Sequence, residues 1–115
     1  MKATRAAVLM GALCVAGMAS AMSLRELHAL EKSDKRGEDY VQYYLVGAME
    51  GILEAQAQAV RAGAKPTICL NGRRLEPRMA KPLLDAELKR AAGVYEADMP
   101  VTLVLTHALA TVYAC

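Results

Sequence analysis

The sequence predicts a small all-α protein, a single-domain helical bundle of four to five helices with one disulfide. Apolar residues recur every three to four positions in several segments, which is typical of helices with one buried face. Glycine, proline and an asparagine-glycine pair separate those segments and predict turns. The chain has 115 residues, of which 55% are hydrophobic, so it is long enough for one domain with a substantial core.

The first residues are typical of a secretory signal peptide. Lys2 and Arg5 precede an apolar run that is too short to cross a membrane, and Ala19-Ser20-Ala21 matches a cleavage site. An N-terminal core helix is the alternative that this composition leaves open. We predict that residues 1–21 are the signal, cleaved near Ala21, and that residues 22–115 form a periplasmic domain.

Loss of the signal changes the charge and the cysteine content. The full chain has 14 Lys+Arg and 12 Asp+Glu. Without Lys2 and Arg5 the two counts are equal (14 − 2 = 12), so net charge gives no argument for nucleic acid or an anionic membrane as a partner. Only Cys69 and Cys115 remain, and two cysteines in a small exported domain most simply form one disulfide.

Residues 40–62 form the longest predicted helix. Its first half is apolar on almost every side, which is typical of a helix at the centre of a fold. We expect Asp39 to cap its start and Gly63 to end it. Gly47 and Gly51 each cost about 1 kcal/mol relative to alanine in a helix. We therefore expect them to mark a tight helix–helix contact, within the monomer or across a dimer.

Two further helices are predicted before the C-terminal segment. One begins with a capping box of Ser23 and Glu26 and runs to about residue 33. The other starts near Pro77, where a proline suits the first turn, and ends at Gly93. Pro82 does not suit a helix interior, so either the main helix begins there or the helix kinks.

The C-terminal segment predicts the last helix. We expect Asp98 as its cap and Pro100 in its first turn. The β-branched residues that follow also suit a strand, but a single strand would have no partner, so a helix is favoured. The expected buried stripe is Val101, Val104, Leu105, Ala108 and Val112.

Residues 63–76 predict a loop with a tight turn at Asn71-Gly72. This region is rich in cations, which we expect to be solvated: Arg61, Lys65, Arg73, Arg74, Arg78 and Lys81. They form either an ordinary solvated loop or a basic arm that docks on an acidic partner, a role that suits the planar guanidinium. In an inhibitor we expect this loop to carry binding, with Arg73 and Arg74 held outward as anchors.

The tyrosines are the other candidates for contacts with a partner, because the chain has no Phe or Trp. Tyr40, Tyr43 and Tyr44 are either core or interface residues. Tyr95 opens a turn over residues 95–99 that is the alternative binding site to the basic loop.

The sequence contains no constellation that predicts catalysis. His107 could act as a general base, although a lone histidine on an apolar helix is more often a packed or capping residue. His28 is the only other histidine, and neither its spacing nor that of the cysteines suits a metal site. Glu50 and Glu54 are either a carboxylate pair or, more simply, a wet helix edge. We therefore expect no enzyme activity, no metal and no cofactor.

Several short motifs resemble the Tai/Rap family of periplasmic immunity proteins, which protect bacteria against type VI-secreted peptidoglycan amidases. The matching residues are Tyr44-Leu45-Val46-Gly47, Glu50-Gly51, Ile68-Cys69-Leu70, Pro100, Val104-Leu105, Ala108-Leu109 and Tyr113-Ala114-Cys115. The chain departs from the family at Ala114 and Asn71, where proline is usual, and it lacks a second cysteine pair. The resemblance implies an all-helical fold, a Cys69–Cys115 bridge, a homodimer and binding that occludes a toxin's active site.

These observations together predict a periplasmic immunity protein that binds and occludes a secreted peptidoglycan amidase. The expected partner-binding residues are Asn71, Arg73, Arg74, Arg78 and Tyr95. The alternatives are a small periplasmic chaperone of the acid-stress type, which would expose a broad apolar surface on acidification, and a periplasmic helical binding protein of another kind.

Overall fold

The computed structural model describes residues 21–115, so the predicted signal sequence lies outside the described residues except for Ala21. Four α-helices and one short 3₁₀ helix make up the described part, and none of it forms a named strand. They are α1 (Leu24–Ser33), α2 (Lys35–Arg61), the 3₁₀ helix (Pro77–Met79), α3 (Ala80–Arg90) and α4 (Val101–Val112). The predicted all-α fold with one disulfide is confirmed.

The helices share one apolar core. Helix α1 packs against α2, α3 packs against α4, and α2 contacts both α3 and α4. Leu27, Leu45, Leu84, Leu105 and Leu109 are fully buried where these helices meet. Most of the predicted stripe on α4 is therefore confirmed, but Val112 is 46% exposed because it lies in the last turn, beyond the end of the core.

Helices α1 and α2 meet at a single residue, Asp34. It ends α1 and caps α2, where its carboxylate accepts a hydrogen bond from the Gly37 amide at 2.8 Å. The prediction of a polar turn followed by Asp39 as the cap was therefore wrong. A carboxylate three residues ahead of a buried glycine allowed the helix to begin earlier, since Gly37 has no side chain to separate it from α1.

Helix α2 buries one face only. Val41, Leu45 and Met49 are buried, whereas Tyr40 is 63% and Tyr43 81% exposed. The prediction of a helix surrounded on every side was wrong, because α1, α3 and α4 are each less than half as long as α2 and lie against one side of it.

The two glycines of α2 also lie on the uncovered face. A Cβ built on Gly47 or Gly51 would have no atom within 4 Å. The expected tight contact within the monomer is therefore wrong for the described part of the chain. The other half of that prediction, a contact across a dimer, is not affected.

The start of α4 is paired with the start of α1 instead of being capped by a side chain. The Val101 amide donates to the Met22 carbonyl at 2.9 Å, and the Leu24 amide donates to the Met99 carbonyl at 3.0 Å. Asp98 was predicted to cap α4, but its carboxylate forms an exposed ion pair with Arg25 at 3.1 Å. These main-chain bonds satisfy helix-terminal amides that would otherwise need a capping side chain.

The proline-containing segment follows the first of the two alternatives closely. The 3₁₀ helix begins at Pro77, and α3 begins at Ala80. Pro82 lies in the first turn of α3, where a missing amide hydrogen costs little. Gly93 follows the helix with φ +82°, a backbone conformation that favours glycine.

Gly37 and Gly47 offer a matched test of this architecture. A Cβ at Gly37 would overlap the Leu30 carbonyl oxygen and Ser33 Oγ. Gly37→Ala should therefore lower the free energy of unfolding by about 1–3 kcal/mol. Gly47→Ala should raise it by up to about 1 kcal/mol, because alanine is the better helix former on an open face. Urea unfolding followed by circular dichroism measures both. An unchanged midpoint for Gly37→Ala would contradict the close α1–α2 junction.

Candidate functional site: a basic loop beside an apolar groove

The loop between α2 and the 3₁₀ helix is held at its base by one side chain. The amide oxygen of Gln56 accepts hydrogen bonds from the backbone amides of Thr67 at 3.0 Å and Ile68 at 2.7 Å, and from Thr67 Oγ1 at 3.0 Å. Its amide nitrogen donates to the Ile68 carbonyl at 2.7 Å. Gln56 therefore takes the place of a neighbouring strand, so the backbone groups of this segment are paired.

A disulfide joins the same segment to the end of α4. Cys69 and Cys115 form the bridge that the sequence predicted, with their Cα atoms 4.9 Å apart. Beside it the Cys69 amide donates to the Tyr113 carbonyl at 2.7 Å, and Ile68 pairs with Ala114. The base of the loop is thus fixed covalently and by main-chain hydrogen bonds.

The tip of the loop is the tight turn predicted at Asn71-Gly72. Asn71 has φ +52° and Gly72 φ +78°, and the Arg73 amide donates to the Leu70 carbonyl at 2.9 Å. Two successive residues with positive φ inside such a bond are typical of a type I′ turn, for which Asn-Gly is the preferred pair. The tip is therefore ordered before any partner binds.

Arg73 is exposed, but it points back onto the protein. Its guanidinium donates to the carbonyls of Leu70 at 3.0 Å, Cys69 at 3.1 Å and Val112 at 3.5 Å, and it lies 4.7 Å from the centre of the Tyr113 ring. The expectation that Arg73 is solvated and held outward is therefore wrong. Its position after the turn brings it over the carbonyls at the end of α4, where a cation is favoured.

The structure separates the six predicted cations into two groups. Four have partners: Arg73 as above, Arg61 with Glu54 at 3.1 Å, Arg78 with Glu76 at 2.6 Å, and Lys81 with Glu31 at 2.9 Å and Asp85 at 2.6 Å. Arg74 and Lys65 are exposed and form no ion pair with any of residues 21–115. Of the predicted anchors, Arg74 thus keeps its whole guanidinium available.

An apolar groove of about 490 Å³ lies beside the loop. Its walls are the start of α3 and the end of α4, and Arg78 lies at its edge next to the loop. The other lining residues are Met79, Pro82, Leu83, Ala86, Val112 and Tyr113. A smaller cavity of about 50 Å³ shares Leu83, Ala86 and Val112 with the groove and extends it towards Arg90. Sequence analysis missed this groove, because it forms between segments that are about 30 residues apart in the chain.

Tyr95 belongs to a buried polar network that sequence analysis also missed. Glu87 is 3% exposed and accepts hydrogen bonds from Arg90 at 2.6 and 3.1 Å and from the Tyr95 hydroxyl at 2.7 Å. The Tyr95 oxygen also lies 3.0 Å from His107 Nδ1. Because Tyr95 gives its only proton to Glu87, the hydrogen between Tyr95 and His107 must come from Nδ1. Tyr95 is half-buried, so its ring edge is the part that faces a partner.

The network changes the protonation equilibria of its members. Burial alone would raise the pKa of Glu87, but the hydrogen bonds from Arg90 and Tyr95 outweigh it and hold that pKa below its usual value. Burial and the hydrogen bond to Glu87 raise the pKa of Tyr95. The i, i+3 spacing of Glu87 and Arg90 was visible in the sequence, but Tyr95 and His107 come from other segments.

Other kinds of site were also sought in residues 21–115. No group of three or more His, Cys, Asp or Glu side chains there could hold a metal ion. No helix in that range has the length and the apolar character needed to cross a membrane. Comparison of the chain with protein-family models, curated proteins and solved structures gave no match.

The Glu87 network predicts a specific loss of stability in acid. Since the folded-state pKa of Glu87 is below its ordinary value of 4.5, its contribution is present above pH 4.5 and disappears as the pH falls through the folded-state pKa. Glu87→Gln should lower stability at neutral pH by about 1–3 kcal/mol and should flatten the dependence of stability on pH in that acid window. Denaturant unfolding at a series of pH values measures both effects. Glu96→Gln is the exposed control, and equal pH profiles for Glu87→Gln and the parent would contradict the role of the network.

Proposed function

We propose that this protein is a periplasmic immunity protein that binds a secreted peptidoglycan amidase and covers its active site. The observation that carries the proposal is the loop of residues 67–74, which is fixed at its base by Gln56 and the disulfide and presents Arg74 unpaired at its tip. An ordered recognition loop loses less conformational entropy on binding than a mobile one.

The charge of the tip suits a partner with exposed carboxylates. Arg74 keeps all the donors of its guanidinium, which can bind a carboxylate through two parallel hydrogen bonds. Asn71 lies in the same turn, and Arg78 lies at the edge of the adjoining groove. We assign these three residues to partner binding and assign Arg73 to holding the loop.

Export supports the same proposal. Residues 1–21 have the pattern of a cleavable signal, and disulfides persist in oxidising compartments such as the periplasm. The family resemblance supplies the class of target, a peptidoglycan amidase delivered by type VI secretion.

We also propose that the protein is a homodimer through the uncovered face of α2. Tyr40 and Tyr43 are exposed there, and the space above Gly47 and Gly51 is open. Exposed tyrosines are enriched at interfaces, and glycines let a second backbone approach closely.

Replacement of Arg74 tests the role of the loop. Arg74→Ala should weaken binding of the amidase encoded beside this gene at least tenfold, about 1.4 kcal/mol, without a change in unfolding free energy. Titration calorimetry with the mature protein measures the affinity, and peptidoglycan hydrolysis measures inhibition. Lys65→Ala removes the other unpaired cation, 9 residues earlier in the sequence, and should leave both unchanged. Absence of binding by the parent protein would contradict the proposed function.

A charged residue on the uncovered face of α2 tests the dimer. Gly51→Arg should convert a dimer into a folded monomer, because the new side chain fills the space a partner helix would use. Sedimentation velocity measures the mass, with Ala29→Arg on the exposed side of α1 as the control. A parent protein that is monomeric at high concentration would exclude the dimer.

A further inference from the structure

We propose that the apolar groove between α3 and the end of α4 is the docking site for an amphipathic helix of an acidic partner protein. The inference rests on the proposed function, because the groove adjoins the recognition loop and would give the same partner a second contact.

The groove has an apolar floor of suitable shape. Leu83, Ala86 and Val112 line both the main groove and its smaller extension, which makes the two one continuous depression. From Arg78 to Arg90 it follows α3 for about 18 Å, the length of about three helical turns. Val112, 46% exposed at the end of α4, lies in its wall. Burial of such a surface against the apolar face of a helix is a common mode of recognition.

The ends of the groove decide the charge of its occupant. Arg78 lies at one end and Arg90 at the other. The Arg78 side chain is 82% exposed and uses only Nε in its contact with Glu76. The Arg90 side chain is 56% exposed and uses Nε and Nη2 in its contacts with Glu87. Each guanidinium therefore keeps donors for a carboxylate.

The one carboxylate that lines the groove does not oppose this charge. Glu87 is buried, and both of its oxygens already accept hydrogen bonds from Arg90, with Tyr95 as a further donor. A helix with an apolar face and acidic residues near both ends is therefore complementary to the groove in shape and in charge.

A synthetic helical peptide of about 14 residues, roughly 21 Å long, is the probe. It carries leucines and one tryptophan on one face and glutamates at both ends. Because the protein has no tryptophan, the emission of the peptide reports its burial directly. We expect saturable binding to the mature protein, with a blue shift of the emission. A second peptide with lysines in place of the glutamates should bind at least tenfold more weakly.

Ala86→Glu places a carboxylate on the exposed floor of the groove and should weaken binding of the glutamate peptide at least tenfold. Ala29→Glu, on the exposed side of α1, adds the same charge outside the groove and should not change it. Circular dichroism and the intact disulfide verify that both variants fold. Equal binding by Ala86→Glu and the parent, or no saturable binding by the parent, would overturn the proposal. So would self-association or binding to anionic vesicles that Ala86→Glu abolishes, since either result would assign the groove to another occupant.

The same variants separate this inference from the proposed function. Loss of amidase affinity in Ala86→Glu as well as in Arg74→Ala supports both. Full amidase affinity in Ala86→Glu, with loss in Arg74→Ala, overturns the groove and leaves the loop in place. Binding of the peptide by a protein that binds no amidase overturns the proposed function and supports the groove.

Discussion

The tie between the recognition loop and the end of α4 is the constraint on which the surface of this protein depends. The Cys69–Cys115 disulfide closes a sequence separation of 46 residues, worth about 4 kcal/mol in the chain-entropy model. Gln56 adds four hydrogen bonds to the same segment from α2. Together they join α2, the loop and α4, three parts of the chain that would otherwise meet only through the core.

That constraint also explains why the cations near the loop have different roles. The disulfide brings the turn close to the end of α4, so Arg73 reaches the carbonyls and the aromatic ring there. Arg74, one residue further along, is left in solvent. A row of positive charges in sequence thus becomes one structural arginine, several ion pairs and one available anchor. The apolar groove lies beside this anchor because its wall contains Tyr113, the ring on which Arg73 rests.

Local signals in the sequence were reliable where neighbouring residues decide the structure. The capping box of α1, the Asn71-Gly72 turn, the end of α3 before Gly93 and the helical stripe of α4 are all present. The pairing of the two cysteines followed because an exported domain offered only these two. The local signal failed at the start of α2: Asp34 and Asp39 are both acceptable caps, and the close approach of α1 to Gly37 chose between them.

The sequence by itself determined the fold class, the disulfide, the turn and the position of the basic loop. Tertiary structure decided which side of α2 is covered, which arginine is free, and where the groove and the Glu87 network form. The physical reason is that helical periodicity records that a face is apolar, but not how many neighbours cover it. The partners of a charged side chain likewise depend on segments far away in sequence, as Tyr95 and His107 do in meeting Glu87.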